Sequence, residues 1–380
     1  MSMRKVRTAI IGCGKVSDLH AEAMKATPEA EFVAIYSRSR DKAEQYGKKY
    51  GVQGFSDIRE MIVSAGVEMV VVCTPHPAHR AAAIAAAEAG AHVLVEKPLG
   101  ASLQECDDMI DAARRAGVKI GTVCQRRFYA PVQRLRRAID DGKIGRPALG
   151  TVLMLGWRDE KYYESDPWRG QWASEGGGVL VNQAPHQLDL LQWFMGPIDE
   201  LFGVWANLNH PYIEVEDTAV AIVRFRSGAL GNIVVSNSQK PGIYGKVHVH
   251  GQNGASVGVQ TDGGAMFVAG MSSVLEPPIN DLWTVPGEEH LLEQWKRQDS
   301  DAFNGLPNAV AHYFHLQLQD FLRAILAGTE PLISGEDGRR TVEIFTAIYR
   351  SQKTGAPVKF PLAPDAGDRD YGTYTSVPLQ

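Results

Sequence analysis

Cysteine is scarce in this chain of 380 residues: Cys13, Cys73, Cys106 and Cys124 are the four, and none shares a C-x-x-C or other ligand-like spacing with another. Three of them lie in or beside apolar, strand-like runs, so they read as packed thiols of a reducing compartment. No apolar run approaches the ~20 residues needed to cross a bilayer. The run that follows Met1-Ser2-Met3-Arg4-Lys5 breaks at Gly12, which argues against a secretory leader. Dense Lys/Arg blocks are missing and the formal net charge is -5, so neither nucleic acid nor an anionic membrane is an expected partner. Internal repeats and low-complexity tracts are absent too. These absences predict a cytoplasmic protein that works on small molecules.

What is present is ordinary globular composition, 44% hydrophobic and 22% charged. The chain is too long for a single growing core, so two domains are expected. From Val6 to Val123, short β-branched runs near Thr8–Ile11, Phe32–Tyr36, Met69–Cys73, His92–Val95 and Lys119–Thr122 alternate with Ala/Glu/Lys-rich helical stretches. That alternation predicts an α/β fold with a doubly wound parallel sheet over residues 1–124. Beyond it, period-two runs near Ala148–Leu155, Glu200–Leu208, Thr218–Phe225, Leu230–Ser236 and Lys246–His250 predict a second α/β domain, residues 125–362, built on a large, mostly antiparallel open sheet. Helices are expected over Ala309–Leu326 and Gly338–Gln352. The weakly periodic Met271–Pro307 reads as a long excursion or a subunit contact, and 363–380 as a polar tail, frayed or exchanged.

The first strand runs into Gly12-Cys13-Gly14-Lys15-Val16-Ser17 and then a helix, giving G-x-G-x-x-S. Glycines at the first two positions allow a tight turn and let the backbone of Gly12, Gly14, Lys15 and Val16 approach a pyrophosphate at the helix N-terminus. An acid ending the second strand would bond the ribose 2′-hydroxyl of NAD, whereas arginine accommodates the 2′-phosphate of NADP. Here the strand ends Tyr36-Ser37-Arg38-Ser39-Arg40, which leans towards NADP. The competing reading keeps NAD, with Ser37 on the ribose and both arginines as solvated turn residues.

Two further segments end parallel strands, where ligands of open sheets gather: Thr74-Pro75-His76-Pro77-Ala78-His79 and Glu96-Lys97-Pro98. Later comes Gly176-Gly177-Gly178-Val179-Leu180-Val181-Asn182-Gln183-Ala184-Pro185-His186-Gln187-Leu188-Asp189. Together with the glycine loop, these residues resemble the family of glucose-fructose oxidoreductase, inositol dehydrogenase and MocA (Gfo/Idh/MocA), over about Val6 to Leu362. The resemblance implies a Rossmann domain holding NAD or NADP, with Thr74, Pro75, His79, Glu96 and Lys97 along the dinucleotide. It also implies a second domain whose sheet mediates dimers or tetramers. The family's catalytic lysine falls on Lys97 and its active-site histidine on His186. Its third position is usually Asp and here is Asn182, which can orient a hydroxyl but cannot take a proton.

That substitution, with Trp168-Arg169-Gly170-Gln171-Trp172 upstream, is similar to the branch acting on pyranosides or nucleotide sugars. The expected reaction is hydride transfer between nicotinamide and a ring hydroxyl of a sugar or sugar derivative. His186, in a first helical turn whose dipole disfavours imidazolium, would be the base. Arg126, Arg158, Trp168, Arg169, Asn182 and Asp189 are the candidate substrate contacts, and the arginines suit an acidic substrate. Asp189, at i+3 from His186, either fixes its ring or forms a structural ion pair. His312 and His315 share that spacing without a carboxylate pair, so no metal site is expected there and they read as core or cleft wall. Two alternatives stand: an oxidoreductive glycosidase that passes through a transient keto-sugar, and a non-catalytic dinucleotide-binding regulator.

Overall fold

In the computed structural model, residues 4–261 and 276–368 are described, with only the backbone for 241–244. Residues 271–275 of the expected excursion and 369–380 of the expected tail lie outside the described residues. The described residues form fourteen strands: β1 (Val6–Ile11), β2 (Ala30–Tyr36), β3 (Gln53–Phe55), β4 (Met69–Val72), β5 (His92–Val95), β6 (Ile120–Thr122), β7 (Pro147–Trp157), β8 (Ile198–Ala206), β9 (Thr218–Phe225), β10 (Leu230–Ser236), β11 (Ser238–Gly251), β12 (Ser256–Gln260), β13 (Ile279–Trp283) and β14 (Val358–Lys359). They belong to two compact units, Met1–Gln125 with Asn308–Arg340, and Arg126–Pro307 with Thr341–Gln380.

The first unit carries a six-stranded sheet in the order β3-β2-β1-β4-β5-β6, parallel throughout. Its strands are apolar without alternation because both faces are covered; Met69, Val70, Val71 and Val72 are all fully buried. The strand order reverses between β1 and β4, the point at which open α/β sheets bind ligands outside their carboxyl ends.

The span 125–362 expected for the second domain is interrupted, because Asn308–Arg340 packs with the first unit. Phe314, Leu318, Phe321 and Leu322 of helix Ala309–Ala327 join Val6, Ile10, Met24, Ile35 and Leu94 in one core. On the same helix the buried Gln317 receives the Cys124 N–H at 3.0 Å and donates to the Thr122 carbonyl at 2.7 Å. It thereby satisfies backbone groups at and just beyond β6.

The second unit holds a sheet ordered β13-β12-β11-β7-β10-β9-β8-β14, antiparallel except for β10 against β7. Helix Pro185–Met195 lies on one face: a Cβ on Gly150 of β7 would meet Met195 Cγ at 2.7 Å and Leu191 Cδ1 at 2.9 Å. β9 accordingly turns Ala219, Ala221, Val223 and Phe225 inward. Its outward residues Val220 and Ile222 are exposed, and register pairs them with Val204 and Phe202 of β8.

Part of the presumed excursion is regular structure. Ile279–Trp283 is the edge strand β13, and helix Leu292–Asn304 is fastened by Arg134, whose guanidinium bonds Asp299 at 2.9 and 3.0 Å and stacks on Trp295. The tail is fixed as far as Asp368, which Arg350 holds through two hydrogen bonds of 2.7 Å. Among the described residues, no helix is long and apolar enough to cross a membrane.

Candidate active site

In the first unit, Gly12 has φ +119° and donates its N–H to the Tyr36 carbonyl at 2.9 Å. A Cβ there would stand 2.8 Å from the carbonyl carbon and oxygen of Cys73, so only glycine fits between β1 and β4. Gly14 is the N-cap of helix Lys15–Ala26 and offers no side-chain cap, whereas Ser39, Asp57, Ser102 and Asn308 each cap a helix of the same unit. Among the described residues, nothing beyond Gly14 itself and its neighbours in the chain lies within 4 Å of where a Cβ there would stand. The buried Ser17 hydroxyl turns back to the Gly14 carbonyl at 2.5 Å, leaving the helix mouth clear. Uncapped N–H groups at a positive helix end fit a pyrophosphate. After β2, the Ser37 hydroxyl accepts the Ser39 N–H, Arg40 pairs with Glu44, and Arg38 is exposed.

Glu96 closes β5 and is buried. Its Oε1 lies 2.7 Å from His20 Nε2 on the glycine-loop helix, and its Oε2 accepts the Lys97 N–H at 3.1 Å. Burial opposes its ionisation, but the His20 bond and the charges of His20 and Lys97 outweigh that and hold its pKa below the ordinary value. Lys97 is half-buried and precedes a cis proline, Pro98. Thr74 is half-buried and Pro75 exposed on the same sheet edge.

His79 is fully buried, with Nε2 2.8 Å from the Thr74 carbonyl and Nδ1 3.0 Å from that of Pro98, so its ring nitrogens face the carbonyls of the two turns that it joins. His315, too, is engaged locally, its Nδ1 being 2.7 Å from Thr27 Oγ1.

In the second unit the glycine triplet is moulded from outside. A Cβ on Gly177 (φ +151°) would stand 2.1 Å from the Tyr349 hydroxyl, and one on Gly178 1.8 Å from the Glu216 carbonyl. The Glu216 carboxyl group, fully buried, accepts the N–H groups of Gly178 at 2.9 Å and Leu180 at 3.0 Å and the Tyr349 hydroxyl at 2.9 Å. Burial still pushes its pKa up to about 7. This clamp orders the short helix Val179–Asn182, from which helix Pro185–Met195 continues and places buried His186 in its first turn. Half-buried Asn182 donates its amide to Glu175, a fully enclosed carboxylate that also accepts the Gly170 N–H at 2.6 Å.

Asp189 forms a two-pronged bond with Arg127 at 2.9 and 2.6 Å, both side chains being buried, which is the ion pair expected on one of its two readings. Arg126 is buried and donates to the Thr261 hydroxyl at 3.1 Å, which also accepts from Gln187. Arg158, Trp168 and Arg169 do come together around Tyr162. Its ring lies 5.2 Å from the Arg158 guanidinium and 4.4 Å from that of Arg169, which also covers Trp168 at 4.5 Å. The Tyr162 hydroxyl receives Arg169 Nη1 at 2.5 Å and Gln183 Nε2 at 3.2 Å, joining this wall to the neighbour of Asn182.

Sequence reasoning passed over the loop from Asn207 to Asp217. There buried His210 sets Nδ1 2.8 Å from Asp217 and Nε2 2.7 Å from the Arg158 carbonyl, with the rings of Trp157, Tyr163 and Tyr212 around it at 5.5 to 5.7 Å. Burial opposes ionisation of Asp217. Hydrogen bonds from His210, Asn209 and Leu208 nevertheless keep its pKa below the ordinary value. It also missed Glu216, Glu175, Arg127 and His20. One signal was available: three successive glycines cannot order themselves, so a buried partner had to be sought among the acids of Glu214-Val215-Glu216-Asp217.

Comparison with known proteins agrees with this geometry. Residues 6–123 match the domain described as the Gfo/Idh/MocA oxidoreductase family, NAD-binding Rossmann fold, and residues 132–257 match a Gfo/Idh/MocA C-terminal domain. The myo-inositol 2-dehydrogenase of Thermotoga maritima is 28% identical over 362 residues, 93% of this chain and 98% of that one. The scyllo-inositol 2-dehydrogenase (NAD(+)) of Bacillus subtilis is 25% identical, covering 93% and 96%. Among solved structures, the WlbA dehydrogenase of Bordetella pertussis in complex with NADH and UDP-GlcNAcA superposes with a TM-score of 0.78 at 29% identity, covering 95% of this chain and all of the other.

The Glu216 clamp makes a signed prediction. Its pKa is raised from 4.5 to about 7, so its contribution to stability is complete below pH 4.5 and is lost as pH rises through about 7. Glu216→Gln puts an amide where one backbone N–H needs an acceptor and should lower stability by about 1–3 kcal/mol near pH 5. The variant does not titrate, so the gap to wild type should shrink by pH 8. Urea unfolding of both proteins at the two pH values checks this, and an equal gap at both would reject it.

Proposed function

This chain belongs to the Gfo/Idh/MocA oxidoreductase family, and from that premise we propose that it transfers a hydride between a nicotinamide dinucleotide and a ring hydroxyl of a sugar or cyclitol derivative. One observation carries the reading: the uncapped Gly14 helix mouth and the Lys97 turn stand on the same carboxyl edge of one parallel sheet. Gly12, Gly14, Lys15 and Val16 would hold the pyrophosphate. When bound, the dinucleotide supplies the redox chemistry.

The chain's own groups manage the proton and the geometry. His186 accepts the proton of the reacting hydroxyl. The Lys97 ammonium bonds the substrate oxygen and stabilises the alkoxide as negative charge develops. Asn182, its amide nitrogen tied to Glu175, orients a hydroxyl of the substrate without exchanging a proton. The Arg158–Tyr162–Arg169 wall suits a substrate bearing a carboxylate or phosphate.

Four finer proposals follow from local residues. His186→Ala should slow single-turnover hydride transfer by about two to four orders of magnitude with dinucleotide binding retained. Lys97→Ala should be at least as damaging, and Asn182→Ala should chiefly raise KM; a near-normal rate in His186→Ala would refute the base assignment. Run on acidic and neutral forms of one substrate, the same assay should favour the acidic form. Equal specificity constants would remove the anionic proposal.

For the cofactor, Arg38 stands exposed beyond β2 with no acid at the strand end, which favours NADP, although the WlbA relative was solved with NADH. Calorimetry should show NADP binding at least several-fold tighter than NAD, with the preference erased in Arg38→Ala; tighter NAD binding would sink it. For assembly, Val204, Val220, Ile222 and Leu230 leave one face of the second unit's sheet apolar, and we assign a second copy of the chain to cover it. Sedimentation should find a dimer or tetramer at micromolar concentration, weakened by Ile222→Asp, and a stable wild-type monomer would end the proposal.

A further inference from the structure

We propose that His20 is a positioning residue for Lys97, acting through the Glu96 carboxylate, so that the dinucleotide-binding helix and the lysine turn are held as one piece. The inference rests on the assignment of Lys97 to the reaction. His20 sits on the second turn of helix Lys15–Ala26, and its ring is buried, at 1% exposure. Its Nε2 is 2.7 Å from Glu96 Oε1, while Nδ1 is enclosed without a hydrogen-bond partner. The ring therefore makes one polar contact. A carboxylate is acceptor-only, so Nε2 carries the proton and donates it.

The rest of the ring is gripped by apolar atoms: Phe314, from helix Ala309–Ala327, meets it edge-on at 4.6 Å and 83°. Such a pocket would accept an apolar side chain of similar size, so packing alone does not call for histidine. What calls for it is the carboxylate. Glu96 has two oxygens, and each takes one N–H: Oε1 from His20, Oε2 from the backbone of Lys97. The two bonds fix the carboxylate plane, and the plane fixes the backbone from which the lysine side chain springs.

Removing the His20 donor leaves a buried carboxylate short of one of its hydrogen bonds, a loss among the larger ones for a single group. The carboxylate is then free to rotate towards another donor, and the Lys97 N–H loses its acceptor. Because His20 lies one and a half turns below the uncapped helix mouth, any displacement of that helix is passed through the same bond to the lysine turn.

The experiment compares His20→Met, His20→Gln, Glu96→Gln, the His20→Met/Glu96→Gln double variant and Lys97→Met, each confirmed folded by urea unfolding. In His20→Met, kcat should fall about 10- to 100-fold, the size of a lost hydrogen bond to a charged group. KM and the dinucleotide Kd should stay within about threefold of wild type, as for a loss confined to the transition state. His20→Gln, whose amide nitrogen can stand where Nε2 stood, should recover most of the rate. Glu96→Gln should be damaging, and adding His20→Met to it should cost little more, since the two act as one unit.

A readout independent of turnover is amide hydrogen exchange of Lys97 in the dinucleotide-free protein. Protection should drop in His20→Met and return in His20→Gln. If Lys97→Met abolishes turnover while His20→Met keeps kcat within about threefold of wild type, the positioning role is overturned; additive losses in the double variant would overturn it as well. If Lys97→Met itself turns over normally, the assignment of the lysine falls, and the exchange data still report whether His20 holds the turn.

Discussion

The second unit depends on two adjacent carboxyl groups, Glu216 and Asp217, buried at the start of β9 and turned to opposite sides. Glu216 supplies acceptors to a glycine turn that has no side chains with which to order itself. Asp217 supplies them to Leu208, Asn209 and His210, and the His210 ring sets its other nitrogen against the Arg158 carbonyl. One short stretch of chain therefore sets both the entry to the His186 helix and the aromatic, basic wall. Two enclosed carboxyl groups in sequence are costly to desolvate, and each is kept by several donors that would otherwise lack partners.

The first unit solves its part of the problem with backbone. Gly12 brings β1 against Cys73, Gly14 leaves a helix mouth without a cap, and His79 ties two turns together by their carbonyls. Side chains there mostly hold main chain in place, and Lys97 is the group at this edge to which a chemical role is proposed. That division suits a fold in which a bound cofactor brings the redox chemistry and the protein supplies orientation.

The parallel sheet was legible because strands covered on both faces appear as unbroken apolar runs, as in Met69–Val72. β3 was not, since three residues centred on Gly54 look like a turn; the glycine is there because a Cβ would stand 2.4 Å from the Ala43 carbonyl. The periodicity of Ala309–Ala327 announced a helix with a buried face, but a pattern of that kind does not say which sheet, nearly two hundred residues earlier, receives it.

In the candidate site, Lys97, His186 and Asn182 stood out by motif, and the clustering of Arg158, Trp168 and Arg169 by composition. Asp189 and His79 have the residue type and spacing of functional groups, yet only the folded chain reveals that Arg127 and two carbonyls already occupy them. Glu216 failed to stand out for the opposite reason, because an acid among acids before a strand has the signature of a solvated loop.

The return of Asn308–Arg340 to the first unit bears on how the chain acquires its structure during synthesis. Val6, Ile10, Met24 and Leu94 share their core with Phe314, Leu318, Phe321 and Leu322, so the amino-terminal sheet emerges from the ribosome with an apolar flank still uncovered. The whole stretch from Arg126 to Pro307 must be translated before the covering helix exists. Closing so long a loop makes for slow, nonlocal folding, and the waiting surface is one that chaperones recognise. The boundary after Gln125 is thus no place to cut the gene: a fragment ending there would carry the dinucleotide loop but lack one wall of its own interior.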